Sequence, residues 1–300
     1  MQMGPTMTEL AELMADLDLI ENDATETALK GVRFFKVVTQ SPRTPMVYEP
    51  GIYIVAQGHK VGYLGKESFV YNVDNYLVNL VSIPFECETF GSKEKPLLGI
   101  YIEIDVEQLY HMIDQIGFQR SNSDNSKKLN RAIGPAFLDK EMKDAVCRLV
   151  SCLKSKNDTQ ILGPSIVNEI IYRALNGDQA AVLYSLATPN SDFDKITKVL
   201  RFIERQYAEK IDVEQLAELA SMSPSKFHKA FKDVTSETPL QYLKKLRLNK
   251  AKYLIAQQGT KAYVAAYRVG YESPSQFSRE FKRYFGYGPA ELHHEDSALA

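Results

Sequence analysis

Two stretches of this chain are copies of one another. Ser223-Pro224-Ser225-Lys226-Phe227-His228-Lys229-Ala230-Phe231-Lys232 and Ser273-Pro274-Ser275-Gln276-Phe277-Ser278-Arg279-Glu280-Phe281-Lys282 agree at six of ten positions with a constant offset of 50, and the offset continues to Pro239 and Pro289. Self-similarity of this kind marks a duplicated supersecondary unit. Each copy opens with Ser then Pro: the hydroxyl caps the first-turn amides, and proline stands where no donor is needed. Two helices therefore start at equivalent places. Each is preceded by another helical stretch, Asp212-Val213-Glu214-Gln215-Leu216-Ala217-Glu218-Leu219-Ala220 in the first copy and Tyr263-Val264-Ala265-Ala266-Tyr267-Arg268-Val269, stopped by Gly270, in the second. The pattern is helix, turn, helix, twice. Ala220 and Ser221 stand where a helix-stopping glycine is wanted in the first copy, so that turn has to close differently.

In the second copy Phe277, Phe281 and Phe285 recur every four residues and form a buried stripe. That leaves Ser275, Gln276, Arg279, Lys282 and Arg283 on the other faces. A solvated surface is the bland explanation of such residues. The duplication favours a second one, because Gln and Arg in the first turns of a helix that follows a tight turn pair with adenine and guanine edges in the major groove. Lys282 and Arg283 suit phosphate contacts. In the first copy Phe227 and Phe231 fall inside, and Ser225, Lys226, His228, Lys229 and Lys232 fall outside. Between the copies, Pro239-Leu240-Gln241-Tyr242-Leu243-Lys244-Lys245-Leu246-Arg247-Leu248-Asn249-Lys250-Ala251 reads as one long helix that holds the units apart. Two helices enter neighbouring major grooves when they sit roughly 34 Å apart, one DNA turn.

The charge is divided. Residues 1–190 carry 18 basic and 24 acidic side chains, and residues 191–300 carry 18 and 14, within a whole chain of net charge -2. A basic C-terminal part is the footprint of a polyanionic partner. From 31 to 105, short β-prone runs at Val32–Val38, Ile52–Val55, Phe69–Tyr71 and Tyr76–Val81 alternate with turn formers at Pro50-Gly51, Gly58, Gly65 and Asp74-Asn75, which predicts an antiparallel sandwich or small barrel. Within Phe85-Glu86-Cys87-Glu88-Thr89, Phe85 and Cys87 share the inner face and the glutamates face water. From about 137 the period becomes helical, with Met142, Val146, Leu149 and Leu153, then Ile166, Ile170 and Ala174; Lys154–Asp158 reads as a polar connection.

The chain opens on an acidic amphipathic stretch and lacks any apolar run of about eighteen residues, so neither a signal peptide nor a membrane span is expected. Cys87, Cys147 and Cys152 lack the spacing of a zinc site or a disulfide framework, and a reducing cytoplasm is the expected location. No cofactor is implied.

Val269-Gly270-Tyr271-Glu272-Ser273-Pro274-Ser275-Gln276-Phe277-Ser278-Arg279-Glu280-Phe281-Lys282-Arg283 closely resembles the C-terminal signature of the AraC family of bacterial transcription regulators. Met222–Ser225, Pro239–Tyr242 and Arg247-Leu248 also match, so the resemblance covers about 193 to 292. Tyr48-Glu49-Pro50, Gln57-Gly58-His59-Lys60 and the Tyr71 region resemble the N-terminal domain of that family, with an arrangement similar to the aldehyde-responsive, YqhC-like subgroup. One departure is Ser236, where relatives usually carry glycine.

The resemblance implies a chain of mixed class: a helical arm over 1–30, a cupin-like β-barrel regulatory domain with dimerisation helices over 31–186, a linker at 187–192, an all-α double helix-turn-helix domain over 193–292 and a tail over 293–300. It implies promoter DNA as partner, a small-molecule effector in the barrel, a homodimer, contact with RNA polymerase, and activation or repression of nearby promoters. Phe34, Tyr53, Tyr71, Phe85 and Cys87 are the candidates to face the effector. Those aromatic rings equally well fill a solid core, and Cys87 reads as a packed thiol or as a sensor of electrophiles. Two rival functions are a metal-dependent cupin enzyme and a constitutive DNA-bending protein. The first needs clustered His and carboxylate ligands, and the front half offers only His59, read as a turn residue, and His111, read as a helix residue. The second uses the same DNA contacts and differs in lacking an effector. The His293-His294 pair reads as solvated.

Overall fold

The computed structural model describes residues 7–117, 131–186, 188 and 190–292. The His293-His294 pair, the 293–300 tail, and Ala187 and Pro189 of the expected linker lie outside them. Chain order in the front part is α1 (Met7–Ala15), β1 (Asp23–Glu26), β2 (Val32–Val37), β3 (Ser41–Tyr48), β4 (Gly51–Gln57), β5 (His59–Leu64), β6 (Glu67–Asn72), β7 (Asn75–Asn79), β8 (Ile83–Phe90), β9 (Leu97–Glu103), α2 (Val106–Ile116) and β10 (Ile133–Phe137). The strands form one curled sheet in the order β1-β2-β9-β4-β7-β6-β5-β8-β3, with β10 added to β7, and the named strands pair antiparallel throughout. The fold is the expected mixed one: a half-barrel with helices behind it, then an all-α part.

Several strands were not legible. β3 carries Pro42 and Pro45, which removes ladder donors and places it at the sheet edge. β9 is flanked on both sides, by β2 and β4, and its Leu97-Leu98-Gly99-Ile100-Tyr101-Ile102 run is buried on both faces, so it lacks the alternation that signals a strand. The expected turn at Pro50-Gly51 is displaced: Gly51 already belongs to β4, where a Cβ would meet the Tyr101 ring at 2.3 Å. Among the described residues of the expected 1–30 arm, α1 is helical and β1 is an edge strand of the sheet. β8 follows expectation, with Phe85 and Cys87 buried and Glu86 and Glu88 half-exposed.

Behind the sheet lie α3 (Lys140–Cys152), α4 (Lys156–Ile161), α5 (Gly163–Ala174) and α6 (Ala180–Leu186). α3 is capped by Asp139, which accepts from the Met142 amide, and buries Met142, Val146 and Leu149. The polar connection expected at Lys154–Asp158 is mostly helix: Ser155 caps α4, which starts at Lys156. The all-α part comprises α7 (Asp192–Gln206), α8 (Val213–Leu219), α9 (Pro224–Thr235), α10 (Pro239–Ala256), α11 (Ala262–Arg268) and α12 (Pro274–Phe285). The parts are packed together. α10 lies against β3 and β8, α12 touches β3, and the Tyr242 hydroxyl of α10 donates to the Ser82 carbonyl at 2.5 Å.

Candidate DNA-reading surface and effector cavity

The two helix-turn-helix units are built by the same local rules. Ser223 Oγ accepts from the Lys226 amide (3.4 Å) and Ser273 Oγ from the Gln276 amide (3.3 Å), with Pro224 and Pro274 in the first turn. The turn before each is closed by the same pair of backbone bonds. Ser221 N–H donates to Glu218 and Met222 N–H to Ala217; Gly270 N–H donates to Tyr267 and Tyr271 N–H to Ala266. That pairing needs a left-handed residue after the helix. Gly270 supplies it at φ +87° and Ser221 at φ +50°. The different closure expected of the first turn is thus the same hydrogen bonding carried by a serine. Ser236 repeats the substitution at the end of α9: it is left-handed at φ +62°, as Gly286 is at φ +89° after α12.

The phenylalanine stripes are inside: Phe227, Phe231, Phe277 and Phe281 are fully buried and Phe285 nearly so. On α9, Ser225, Lys226, His228, Lys229 and Lys232 are all exposed; on α12, so are Ser275, Gln276, Arg279, Lys282 and Arg283. Among the described residues, two of these ten make side-chain hydrogen bonds or ion pairs of their own. Lys226 Nζ meets Asp192 at 2.8 Å, an exposed and therefore weak pair. Gln276 Nε2 donates to Glu280 Oε1 at 3.2 Å, and the Tyr271 hydroxyl donates to the other Glu280 oxygen at 3.0 Å. Glu280 therefore orients the amide of Gln276, a role not read from the sequence.

Arg247 ties the units together. From the middle of α10 its Nε donates to the Tyr207 carbonyl (2.6 Å), Nη1 to Gly270 (3.2 Å) and Nη2 to Glu209 (2.7 Å). Burial lowers the pKa of this guanidinium and Tyr271 partly restores it. α10 is thereby pinned both to the end of α7 and to the second turn.

In the half-barrel a cavity of about 40 Å³ opens between Ala24, Arg33, Phe34, Phe35, Tyr48, Glu49, Tyr53, Lys60 and Tyr101. Of the five residues expected to face an effector, Phe34 and Tyr53 line it. Tyr71, Phe85 and Cys87 do not; they form the layer beneath. Phe85 packs edge-on to Tyr48, the Tyr71 hydroxyl lies 2.7 Å from the Tyr48 hydroxyl, and Cys87 Sγ is 3.5 Å from Tyr71. The sequence reading missed Arg33, Tyr48, Lys60 and Tyr101 as wall residues. A lysine two residues from Gly62 and four from Leu64 on an alternating strand was the available signal for Lys60. Arg33 bonds Glu49 and lies 4.3 Å from the Tyr101 ring centre. Burial opposes its charge, but Glu49 more than compensates and the guanidinium pKa is raised. Burial, reinforced by neighbouring tyrosines, pushes Tyr53 well above the ordinary phenol value.

His59 is the first residue of β5 rather than a turn residue and stacks on Phe90, while His111 is exposed on α2. Among the described residues no three His, Cys, Asp or Glu side chains gather as a metal site requires, and no helix is long and apolar enough to cross a membrane. Cys147 and Cys152 pack inside α3, and burial raises the Cys147 thiol to about 11.

Residues 28–182 match the family described as AraC-type transcriptional regulator N-terminus, and residues 216–294 match a helix-turn-helix domain. The HTH-type transcriptional activator RhaS of Salmonella schwarzengrund is 31% identical over 105 residues, which is 35% of this chain and 38% of that protein. The probable transcriptional regulator LumQ of Photobacterium leiognathi is 30% identical over 155 residues, 51% of this chain and 59% of its own. The chain thus covers less than two thirds of the length of these relatives. Among solved structures, an apo ToxT variant from Vibrio cholerae superposes with a TM-score of 0.59 at 10% identity, covering 91% of this chain and all of that one. Wild-type ToxT bound to an unsaturated fatty acid gives 0.56 at 12%, covering 87% and 93%. At such identities the likeness is one of fold. With a family match that spans more than half its length and a duplicated helix-turn-helix behind it, the chain belongs to the AraC family of transcriptional regulators.

Proposed function

We propose that this protein is a sequence-specific DNA-binding transcription regulator in which α9 and α12 read two blocks of one operator and the barrel cavity receives a small-molecule effector. The observation that carries the reading is the pair of equivalent helices with exposed polar faces, Ser225, Lys226, His228, Lys229 and Lys232 on one and Ser275, Gln276, Arg279, Lys282 and Arg283 on the other, held on one continuous helix. In this reading Gln276 and Arg279 contact base edges, while the lysines and Arg283 engage phosphates. The effector half is supported by the cavity and by its wiring. Asn79 Nδ2 donates to the carbonyls of Tyr48 (3.0 Å) and Glu49 (2.9 Å) at the cavity wall, and Ser82, three residues on, accepts from Tyr242 of α10. ToxT, of the same fold, was captured with a fatty acid and with a naphthalenyl butenoic acid, which lends the effector role to this architecture.

The divisions at 31, 187 and 193, the YqhC-like placement and contact with RNA polymerase follow from the family resemblance. Dimerisation is assigned to the helices after the barrel, where Ile161, Leu162 and Tyr172 of the α4–α5 region are exposed. Sedimentation of the full chain tests it: a dimer that Leu162→Glu converts to monomer is expected. The function itself is tested by selection of the purified protein against random duplex DNA. Two short enriched blocks about ten base pairs apart are expected. Retention of random sequences only, abolished by modest salt, would overturn the reading in favour of a nonspecific electrostatic surface.

A further inference from the structure

Lys60 is 1% exposed, on an inward position of β5, and its side chain is part of the cavity wall. An ammonium has three protons to donate. Among the described residues Lys60 has one acceptor, the Tyr48 hydroxyl at 2.6 Å, besides a looser approach to the face of the same ring. No carboxylate among the described residues pairs with it. Behind Tyr48 the chain runs on through the Tyr71 hydroxyl and the Cys87 thiol to the Glu88 carbonyl, and Cys87 partly offsets the effect of burial on Lys60. The other cation of the cavity, Arg33, is already neutralised by Glu49. A basic side chain without a carboxylate partner therefore sits in an aromatic interior. Burying such a group is costly, and a methionine or leucine of similar volume serves a purely structural core better.

Resting on the reading of the barrel as an effector site, we propose that the effector is a short organic monocarboxylate, bound through its carboxylate to the Lys60 ammonium with its carbon chain against Phe34, Phe35 and Tyr53. One amine without a carboxylate partner specifies one acid group. The space between the lining residues is small, about 40 Å³, which favours a short chain. A longer chain has to swing Tyr53 and Tyr101, whose rings lie 4.9 Å apart. The ammonium turns from Tyr48 toward the carboxylate when the site fills. Tyr48 ends β3, whose edge packs on α10 and α12, so the change is delivered to the DNA-reading part. Burial lowers the Lys60 pKa in the empty site, and a bound carboxylate opposes that shift.

Titration calorimetry of the full chain tests this with sodium acetate, propionate and hexanoate, with propionamide and propanol as neutral counterparts and sodium chloride at matched ionic strength. Propionate is expected to bind, the neutral counterparts and chloride are not, and Lys60→Met, which removes a buried amine, is expected to stay folded and weaken propionate at least tenfold. Lys60→Gln is the second variant, expected to behave the same way. Tyr53→Ala is expected to shift preference toward hexanoate. Equal binding of propionamide, undiminished propionate binding by folded Lys60→Met or Lys60→Gln, or equal binding of chloride would overturn the carboxylate assignment while leaving the barrel a ligand site. Absence of binding by every compound overturns it too, and if operator affinity is then also unchanged by all of them, the effector reading falls with it while DNA recognition stands.

Discussion

The two helix-turn-helix units share a plan but not a foundation. The first, with Phe227, Phe231, Val234 and Tyr242, belongs to a hydrophobic core that runs without interruption into the half-barrel. The second gathers Leu248, Ala265, Ala266, Val269, Phe277, Phe281 and Phe285 into a core of its own. The division falls within α10, between Leu246 and Leu248, next to the Arg247 clamp. The first unit therefore shares its packing with the regulatory domain, and the second is joined to the rest by α10, the Arg247–Gly270 hydrogen bond and the contact of α12 with β3. Duplication has produced two units of unequal anchoring: the first is tied to the barrel by shared packing, and the second through α10 and the touch of α12 on β3.

The largest expected effect tests that inequality directly. Phe231→Ala and Phe281→Ala should each cost about 3–5 kcal/mol by emptying a packed site. Hydrogen exchange should show loss of protection spreading from Phe231→Ala into β8 and the barrel, but confined to α11, α12 and the end of α10 for Phe281→Ala. Spread into the barrel from both would break the comparison. Next comes the turn. Gly270→Ala places a Cβ 2.2 Å from the Ala208 carbonyl oxygen in a left-handed backbone, and about 2–4 kcal/mol of destabilisation in urea titration is expected. A neutral result would mean that the second unit relaxes freely around its turn.

Smaller effects concern the reading faces. Arg279→Ala should weaken the selected operator by about 1–3 kcal/mol and relax one base position, whereas Lys282→Ala should weaken operator and random duplex alike and reduce the salt slope. Equal loss on both DNAs for Arg279→Ala removes it from the base-reading role. The smallest change sharpens the contrast between the turns. Ser221→Gly relieves a left-handed serine and should stabilise the first unit by about 0.5–1 kcal/mol in thermal or urea unfolding, the opposite sign to Gly270→Ala.

The paired helices, their caps, their phenylalanine stripes and their outward polar residues were legible because a helix declares its faces by a local period of three to four, and capping is decided within four residues. Even the serine at 221 was readable as a departure from the second copy, and the serine at 236 as a departure from the family pattern. The barrel was legible only in outline. Phe34 and Tyr53 were named as facing an effector and do line the cavity, whereas Tyr71, Phe85 and Cys87, equally inward by alternation, lie one layer deeper.

By itself, then, the sequence determined the duplicated reading unit and the existence of a β-rich front domain, because those rest on spacing along the chain. Tertiary structure alone decided that Lys60 meets Tyr48, that Asn79 and Ser82 connect the cavity wall to Tyr242, and that the first unit shares a core with the barrel. Each of these contacts joins residues 12 to 160 positions apart. Strand alternation says only which side of a sheet a residue faces; which side chains converge there depends on register and curl, and those are properties of the closed sheet.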